Sequence, residues 1–197
     1  MTGTLIQPPF GVLEWDNHLG WWRSKPLSVP LFDGQLASIT VDPEAPDDSD
    51  APISRDVLEA AAAFFSLTPA ALAEIEPHVW QEYIDMRDVV GEDCPEIERK
   101  DLWKNVKLNG ISIDRRDADA LVYVNIECNC TWEPEHGLQL VLQNGVRWVR
   151  VSDYSGHLTD GDSYACPALD TWMSDPSAKL PVRSRDETFA LLAKYKR

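Results

Sequence analysis

The stretch LQLVLQNGVRWVRV, residues 138–151, decides the fold of this chain. Apolar and polar residues alternate on both sides of Asn144-Gly145, and that dipeptide favours the two-residue type I′ turn of a β-hairpin. The turn predicts a register in which Val141 lies opposite Trp148. The chain therefore contains an antiparallel pair of strands, and the other elements can be placed outward from it.

A further strand is predicted just before the hairpin, at Leu121–Cys130. One face of this strand carries an apolar set, which is Val122, Val124, Ile126, Cys128 and Cys130. The intervening positions, among them Tyr123 and Asn125, point to the other face. This period of two is typical of a strand with one buried face and one face in solvent.

The N-terminal part predicts a small β-meander over residues 10–41, with strands at 10–15, 20–22, 26–32 and 35–41 separated by turn residues. Pro30 cannot donate to a strand ladder, which indicates an edge position or a bulge there. A later strand is expected over 106–113. Its Asn109-Gly110 pair is typical either of a tight turn or of a bulge within the strand.

Three helices are predicted. Ser54 suits the N-cap of the first, and Thr68 followed by Pro69 suits the start of the second. Pro77 falls inside the second helical pattern and is expected to kink or split that helix. Ser184 and Glu187 form a capping box that should open a final helix.

These elements predict an α+β fold. An antiparallel β-sheet, formed by the N-terminal meander, the C-terminal strands and the hairpin, packs with the helical pair and the C-terminal helix. A chain of 197 residues is expected to form a single domain, 1–197. This domain should carry an acidic, proline-rich loop at 42–53 and a loop-rich extension at 153–183.

The chain is strongly acidic, with 33 Asp and Glu residues against 18 Lys and Arg residues, a net charge of −15. Such a charge repels phosphates and anionic lipid, so we expect no binding to nucleic acid or membrane, and it favours a basic protein partner. No secretion signal and no apolar run long enough for a membrane span is evident. The predicted location is therefore the cytoplasm, with the cysteines as free thiols. No motif implies a cofactor.

The segment CNCTWEPEHGL, residues 128–138, is the densest in chemistry. Cys128, Cys130 and His136 are candidate zinc ligands by type, although their C-x-C-x5-H spacing differs from that of common zinc motifs. Catalysis is a second interpretation, with Cys130 as nucleophile, His136 as base, and Glu133 with Glu135 as an acid–base pair.

A structural corner is the third interpretation of the segment, and it explains more of its residues. Trp132 would anchor the turn in the core, Pro134 favours extended backbone before it, and Gly137 allows a positive φ. Glu135 or His136 would then accept hydrogen bonds from turn amides that the sheet leaves unpaired.

The same polar residues could form the edge of a binding surface. We therefore take Glu133 and Glu135 as candidate binding residues. Trp148 and Arg150, which share one face of the predicted hairpin, complete the set.

The run CTWEPEHGL at 130–138, followed by the Asn-Gly hairpin, resembles the C-x-W-[DE]-x-E-H-G-[LI] signature of an uncharacterised bacterial family whose members are domains of unknown function. Segments 10–16, 21–22 and 30–34 are also similar to that family. The resemblance covers roughly residues 8–152. The tail beyond Asp153 and the extra thiol of Cys128 depart from it.

Small acidic proteins of this kind resemble immunity proteins that neutralise secreted toxins. We therefore expect a cytoplasmic bacterial binding protein, an immunity-type inhibitor whose partner is a basic toxin, rather than an enzyme. The alternative is a metal- or thiol-dependent enzyme centred on residues 128–136.

Overall fold

The computed structural model describes residues 3–42 and 52–195. Most of the predicted acidic loop at 42–53 therefore lies outside the described residues.

The fold is α+β, as the sequence predicts, and is built on a mostly antiparallel mixed sheet. Its strands follow the order β1-β2-β3-β5-β6-β7-β8-β9, and β4 pairs with β5 beside this path. The strands are β1 (Thr4–Gln7), β2 (Gly11–Asp16), β3 (Trp21–Ser24), β4 (Leu27–Val29), β5 (Gln35–Val41), β6 (Val106–Arg115), β7 (Val122–Cys130), β8 (Leu138–Gln143) and β9 (Arg147–Asp153). The pair β5–β6 is parallel, with Ser38 beside Gly110 and Val41 beside Ile113.

The α-helices are α1 (Arg55–Phe65), α2 (Leu72–Val90), α3 (Asp160–Ser163) and α4 (Arg185–Tyr195). Short 3-10 helices cover Pro30–Phe32, Pro69–Ala71, Gly91–Asp93, Arg99–Asn105 and Pro167–Ser174. No single described helix is long and apolar enough to cross a membrane, although α1 taken together with residues 69–93 meets the same criteria of length and composition.

Two compact units divide the chain. The first comprises Met1–Leu72, Leu108–Ile126 and Leu142–Arg147, and the second comprises Ala73–Lys107, Glu127–Val141 and Trp148–Arg197. The sequence-based expectation of a single domain stays a prediction.

The N-terminal meander forms much as the alternation predicts, with one added strand. Trp15 and Trp22 face each other across β2 and β3, and their rings meet edge to face with centroids 5.3 Å apart. The chain leaves β4 at Pro30 through a 3-10 turn, so residues 30–32 are not strand. The added strand, β1, pairs with β2 along its whole length.

The predicted hairpin turn and the pairing of β8 with β9 are confirmed, while the register that places Val141 opposite Trp148 stays a prediction. Asn144 and Gly145 both have positive φ angles, 50° and 74°, and the Val146 amide donates to the Gln143 carbonyl over 3.2 Å. These are the features of a type I′ turn. Gly145 also lies directly against the Ala60 carbonyl of α1, so the turn packs on that helix.

Strand β7 is not half-buried along its first part, and that prediction was wrong. Tyr123 and Asn125 are buried as well as their apolar neighbours. The reason is that β7 lies inside the sheet between β6 and β8, and its polar groups have partners. The Tyr123 hydroxyl donates to Asp119 over 2.7 Å and accepts from Gln143 over 3.1 Å.

In β6 the Asn109-Gly110 pair does not turn the chain, because the strand continues through it. Val106 and Leu108 are buried before the pair, and Ile111 and Ile113 are buried after it. The buried positions thus shift by one residue at the pair, while Gly110 and Ile111 pair one to one with Ser38 and Ile39 of β5.

Helix α2 runs unbroken through Pro77, so the predicted split was wrong. Proline removes one hydrogen bond from a helix interior. Ile75 and Val79, on either side of it, are fully buried. We attribute the continuity of the helix to this packing.

The C-terminal helix begins where the capping box predicts. The Ser184 amide donates to the Glu187 carboxylate over 2.8 Å, and the Glu187 amide donates to the Ser184 hydroxyl over 3.2 Å. Leu192 of α4 packs with Cys166 and Leu169 in a small apolar cluster of the second unit. The preceding segment 153–183 contains α3 and the Pro167–Ser174 turn helix.

Candidate functional site: the corner at 128–138 and a charged cavity

The segment 128–138 forms a tight corner between β7 and β8. The Glu133 carboxylate accepts hydrogen bonds from the amides of Glu135 and His136, both over 3.1 Å, and the Glu133 carbonyl accepts from the Gly137 amide over 2.9 Å. The expectation that Glu135 or His136 would satisfy the turn amides was therefore wrong. Glu133 does so, because it precedes the turn and its side chain reaches forward over the free N–H groups.

Trp132 and Gly137 fix the two ends of this corner. Trp132 is buried and meets Tyr83 edge to face, with ring centroids 5.9 Å apart. Gly137 has a φ of 76°, and a Cβ at this position would clash with the Cys128 carbonyl oxygen. Only glycine suits both demands, since it tolerates positive φ and leaves room for the neighbouring backbone.

The two thiols of the segment lie in apolar surroundings. Burial raises the pKa of the Cys128 thiol far above its ordinary value and raises the pKa of Cys130 to about 12. Cys130 donates a weak hydrogen bond to the Glu133 carbonyl, with Sγ 3.7 Å from the oxygen. A thiol nucleophile works as the thiolate, which these surroundings disfavour.

His136, the proposed base and metal ligand, lies on the exposed rim of the corner. Its Nδ1 is 3.4 Å from the Glu133 carboxylate. The neighbouring Glu135 is exposed as well. Over residues 3–42 and 52–195, no group of three His, Cys, Asp or Glu side chains is placed to hold a metal ion.

The other two sequence-derived candidates, Trp148 and Arg150, are buried to 3% and 2% exposure. Arg150 is the centre of a hydrogen-bond network. Its Nε lies 3.2 Å from Asp160, its Nη1 donates to Gln139 over 2.6 Å, and its Nη2 donates to Ser163 over 3.1 Å. Nη1 also contacts the Ser155 hydroxyl and the His157 carbonyl, both at 3.0 Å. Arg150 thus holds β9 to the following loop and to α3.

Arg150 also lines a cavity of about 320 Å³ within the second unit. Ligand pockets of this size are common in proteins. Residues of α2, β9, α3 and α4 form its wall, together with the loop before α4. The wall carries charges of both signs. Among the residues that line it are His78, Glu82, Asp85, Arg150, Asp153, Asp160, Tyr164, Arg183 and Phe189.

Glu82 is the most perturbed group in this wall. Its side chain is half-buried in the cavity wall, and burial raises its pKa to about 8. Asp153, Asp85 and Asp160 raise the pKa further by repulsion, while Arg150 opposes them. No described residue donates a hydrogen bond to the Glu82 carboxyl group. Strongly shifted carboxyl groups in cavities are typical of functional sites.

Two other wall residues change charge less readily. Burial lowers the pKa of His78, whose Nε2 lies 2.9 Å from the Leu180 carbonyl oxygen. Burial raises the pKa of the Tyr164 hydroxyl, and the Tyr164 ring meets Phe189 edge to face. At neutral pH both groups are therefore uncharged hydrogen-bonding groups.

Reasoning from the sequence found Arg150 but missed Glu82, Asp160, Tyr164 and Arg183. One signal was present for Glu82. It lies three residues after Val79 and seven after Ile75, which is the spacing of the buried face of α2. Carboxylates rarely lie on the buried face of a helix unless they have a partner there, so Glu82 was a candidate site residue. The other three lie in the 153–183 segment, where no periodicity predicted their placement.

The described geometry can be compared with known proteins. Residues 9–158 match the model of a family described as a domain of unknown function, DUF6985. No curated protein and no solved structure matches the chain significantly. The matched range includes the corner and Arg150, and it ends before Asp160, Tyr164 and Arg183.

Proposed function

The chain belongs to the DUF6985 family, and we propose that it is a cytoplasmic bacterial binding protein of the immunity type, which neutralises a basic toxin. The observation that carries the proposal is an acidic surface at the C-terminal end of α2. This acidic surface consists of Asp88, Glu92, Asp93 and Glu96, all of which are exposed.

The charge of this region is unusually one-sided. Between Ala73 and Glu98 the chain has nine carboxylates and a single Lys or Arg, which is Arg87. Among the described residues, no cationic side chain forms an ion pair with any member of the acidic surface. Arg87 acts on Asp88 and Glu96, but carboxylates still outnumber it four to one, and such a surface attracts a basic partner over about 10 Å at roughly 0.1 M salt.

Apolar side chains accompany these charges. Val89 is 59% exposed and Val90 is 41% exposed, and both adjoin the acidic surface in sequence. Protein interfaces combine a small desolvated apolar centre with a charged rim that guides association. The pair of valines and the surrounding carboxylates therefore fit a protein partner better than a small ion.

The experiment is rescue of toxicity by defined variants. The basic protein encoded beside this chain in its native genome would be expressed alone and then with the chain, and growth would be measured. We expect rescue of growth by the wild type and loss of rescue by the triple variant Glu92→Lys, Asp93→Lys, Glu96→Lys, because each reversal replaces attraction with repulsion.

A matched control reverses three exposed carboxylates of the first unit, Glu14→Lys, Glu59→Lys and Asp117→Lys. This control makes the same change in net charge, so it separates docking at the acidic surface from general electrostatic attraction. Equal loss in both triple variants would contradict the acidic surface as the docking site. Absence of a toxic basic protein beside the chain, together with no stable partner in the host, would contradict the function itself.

A further inference from the structure

The cavity in the second unit is lined by a carboxyl group and a guanidinium that form no hydrogen bond with the described residues. The Glu82 carboxyl group receives no hydrogen bond from the described residues, and the Arg183 guanidinium makes no hydrogen bond or ion pair with them. Both side chains are half-buried, so each keeps hydrogen-bonding capacity that a bound molecule can use. A carboxyl group and a guanidinium that both line one cavity fit a ligand that carries a hydrogen-bond donor at one end and an anionic group at the other.

The surroundings of Glu82 favour a cationic group. Asp85, Asp153 and Asp160 all act on the Glu82 carboxyl group, and Arg150 is the nearby cation. The Arg150 guanidinium is already occupied by Asp160 and four other acceptors. An ammonium group beside Glu82 would supply the missing positive charge and N–H donors.

The surroundings of Arg183 favour an anionic group. This guanidinium is close enough to Asp160 to lower its pKa, and Asp160 in turn raises the pKa of Glu82. The Tyr164 hydroxyl, in the same wall, has no hydrogen-bond partner among the described residues. A carboxylate would accept from both the guanidinium and the hydroxyl.

We propose that this cavity binds a small zwitterion of the free amino acid class, with its ammonium group at Glu82 and its carboxylate at Arg183. Leu180, Met86 and Phe189 in the same wall offer apolar contacts for the ligand's side chain. The volume of about 320 Å³ is sufficient for one such molecule. The inference goes beyond the proposed protein partner and does not depend on it.

Proton release gives the site a distinctive signature. With a pKa of about 8, Glu82 holds its proton over most of the neutral range. The charged groups that face it are Asp85 on its own helix, Arg150 and Asp153 of β9, and Asp160 of α3; Tyr164, His78 and Cys130 are uncharged neighbours at pH 7. An arriving ammonium group favours the ionised form, so binding at pH 7 should release about one proton.

The test begins with thermal unfolding of the full chain in the presence of each standard amino acid at about 10 mM. We expect at least one of them to raise the midpoint of thermal unfolding by about 3 °C, as it should when the amino acid concentration is well above its Kd. Calorimetric titration in two buffers of different ionisation enthalpy then measures the protons released. If no amino acid shifts the midpoint, the inference is overturned.

Matched ligand derivatives and protein variants test whether the ammonium group of the ligand lies at Glu82 and its carboxylate at Arg183. For the best amino acid, its amide lacks the carboxylate and its N-acetyl derivative lacks the ammonium, and both should bind at least tenfold more weakly. Glu82→Gln should weaken binding of the amino acid at least tenfold and abolish proton release. Arg183→Gln should weaken binding of the amino acid but leave binding of the amide unchanged.

Glu14→Gln, an exposed control in the first unit and outside the cavity, should bind as the wild type does. Glu82→Gln is isosteric with the protonated side chain, so it is expected to fold. Equal binding of the amino acid by the wild type and by Glu82→Gln would overturn the assignment.

Discussion

The turn residue Gly145 lies directly against the backbone carbonyl of Ala60 in α1. A hairpin tip is normally exposed, but here the tip is part of the packing of the first unit. Gly145 therefore meets two requirements at this turn. It adopts the positive φ of the type I′ geometry, and its lack of a side chain lets α1 approach the turn.

Gly145→Ala should destabilise the protein by about 2–4 kcal/mol, because a methyl group would overlap the Ala60 carbonyl and strain a positive φ. Gly156→Ala is the control. It has a similar φ of 76° but nothing within 4 Å of the added Cβ, so it should cost only about 1 kcal/mol. Chemical denaturation measures both. Equal losses in the two variants would contradict the close approach of Gly145 to α1.

Glu133→Ala should destabilise the corner by about 1–2 kcal/mol, because the amides of Glu135 and His136 lose their acceptor. Glu135→Ala removes an exposed side chain from the same turn and should change the free energy of unfolding by less than about 0.5 kcal/mol. Hydrogen exchange at the two amides should accelerate only in the first variant. Equal protection in both variants would exclude Glu133 as the capping group.

Arg150→Met should cost about 3–5 kcal/mol, because it removes the ion pair with Asp160 and the donors to Gln139 and Ser163. Arg55→Met is the control, since its ion pair with Glu59 is exposed and worth less than about 1 kcal/mol. Calorimetric unfolding distinguishes the two. A loss under about 1 kcal/mol at Arg150 would show that the network does not organise the second unit.

Glu82 should make the protein less stable as the pH rises. Its pKa is about 8 in the folded chain and 4.5 ordinarily, so between these pH values the folded state keeps a proton that the unfolded state loses. The free energy of unfolding then falls with rising pH in that window. Glu82→Gln should match the wild type near pH 4 and exceed it by about 2–4 kcal/mol at pH 8, allowing for solvent access. Parallel pH profiles for the two proteins would contradict the shifted pKa.

Cys128 and Cys130 should resist a thiol reagent at pH 8 in the folded protein, because burial keeps both as neutral thiols. Mass spectrometry after mild treatment should find them unmodified, whereas denatured protein reacts at all four cysteines. Rapid modification of Cys130 under folding conditions would restore the thiol-enzyme alternative. Elemental analysis of the same sample tests the metal version.

The elements that the sequence predicts best are those whose signals are local. The reciprocal Ser184–Glu187 bonds and the Asn144-Gly145 turn each depend on residues within four positions of one another. The burial of Tyr123 depends instead on which strands flank β7, and alternation within one strand carries no information about its neighbours.

The candidate site likewise has features that local sequence signals predict and features that depend on the tertiary fold. Gly137 and Trp132 could be assigned to a corner because turn and core requirements are encoded in single residues. The cavity could not be assembled from the sequence, because Glu82 and Arg183 come from distant segments that meet only in the fold. Arg150 was chosen for its place beside Trp148, and its partners in α3 and the preceding loop were not foreseeable.

The parallel pairing of β5 with β6 has a consequence for synthesis of the chain on the ribosome. Strands β1 to β5 can pair as soon as they emerge, but β5 keeps one open edge until Ile113 has followed Val41 out of the exit tunnel. At about 5–20 residues per second that delay is roughly several seconds. For this interval a nascent chain presents a hydrophobic strand edge, which is the kind of surface that pairs with other chains and that chaperones cover.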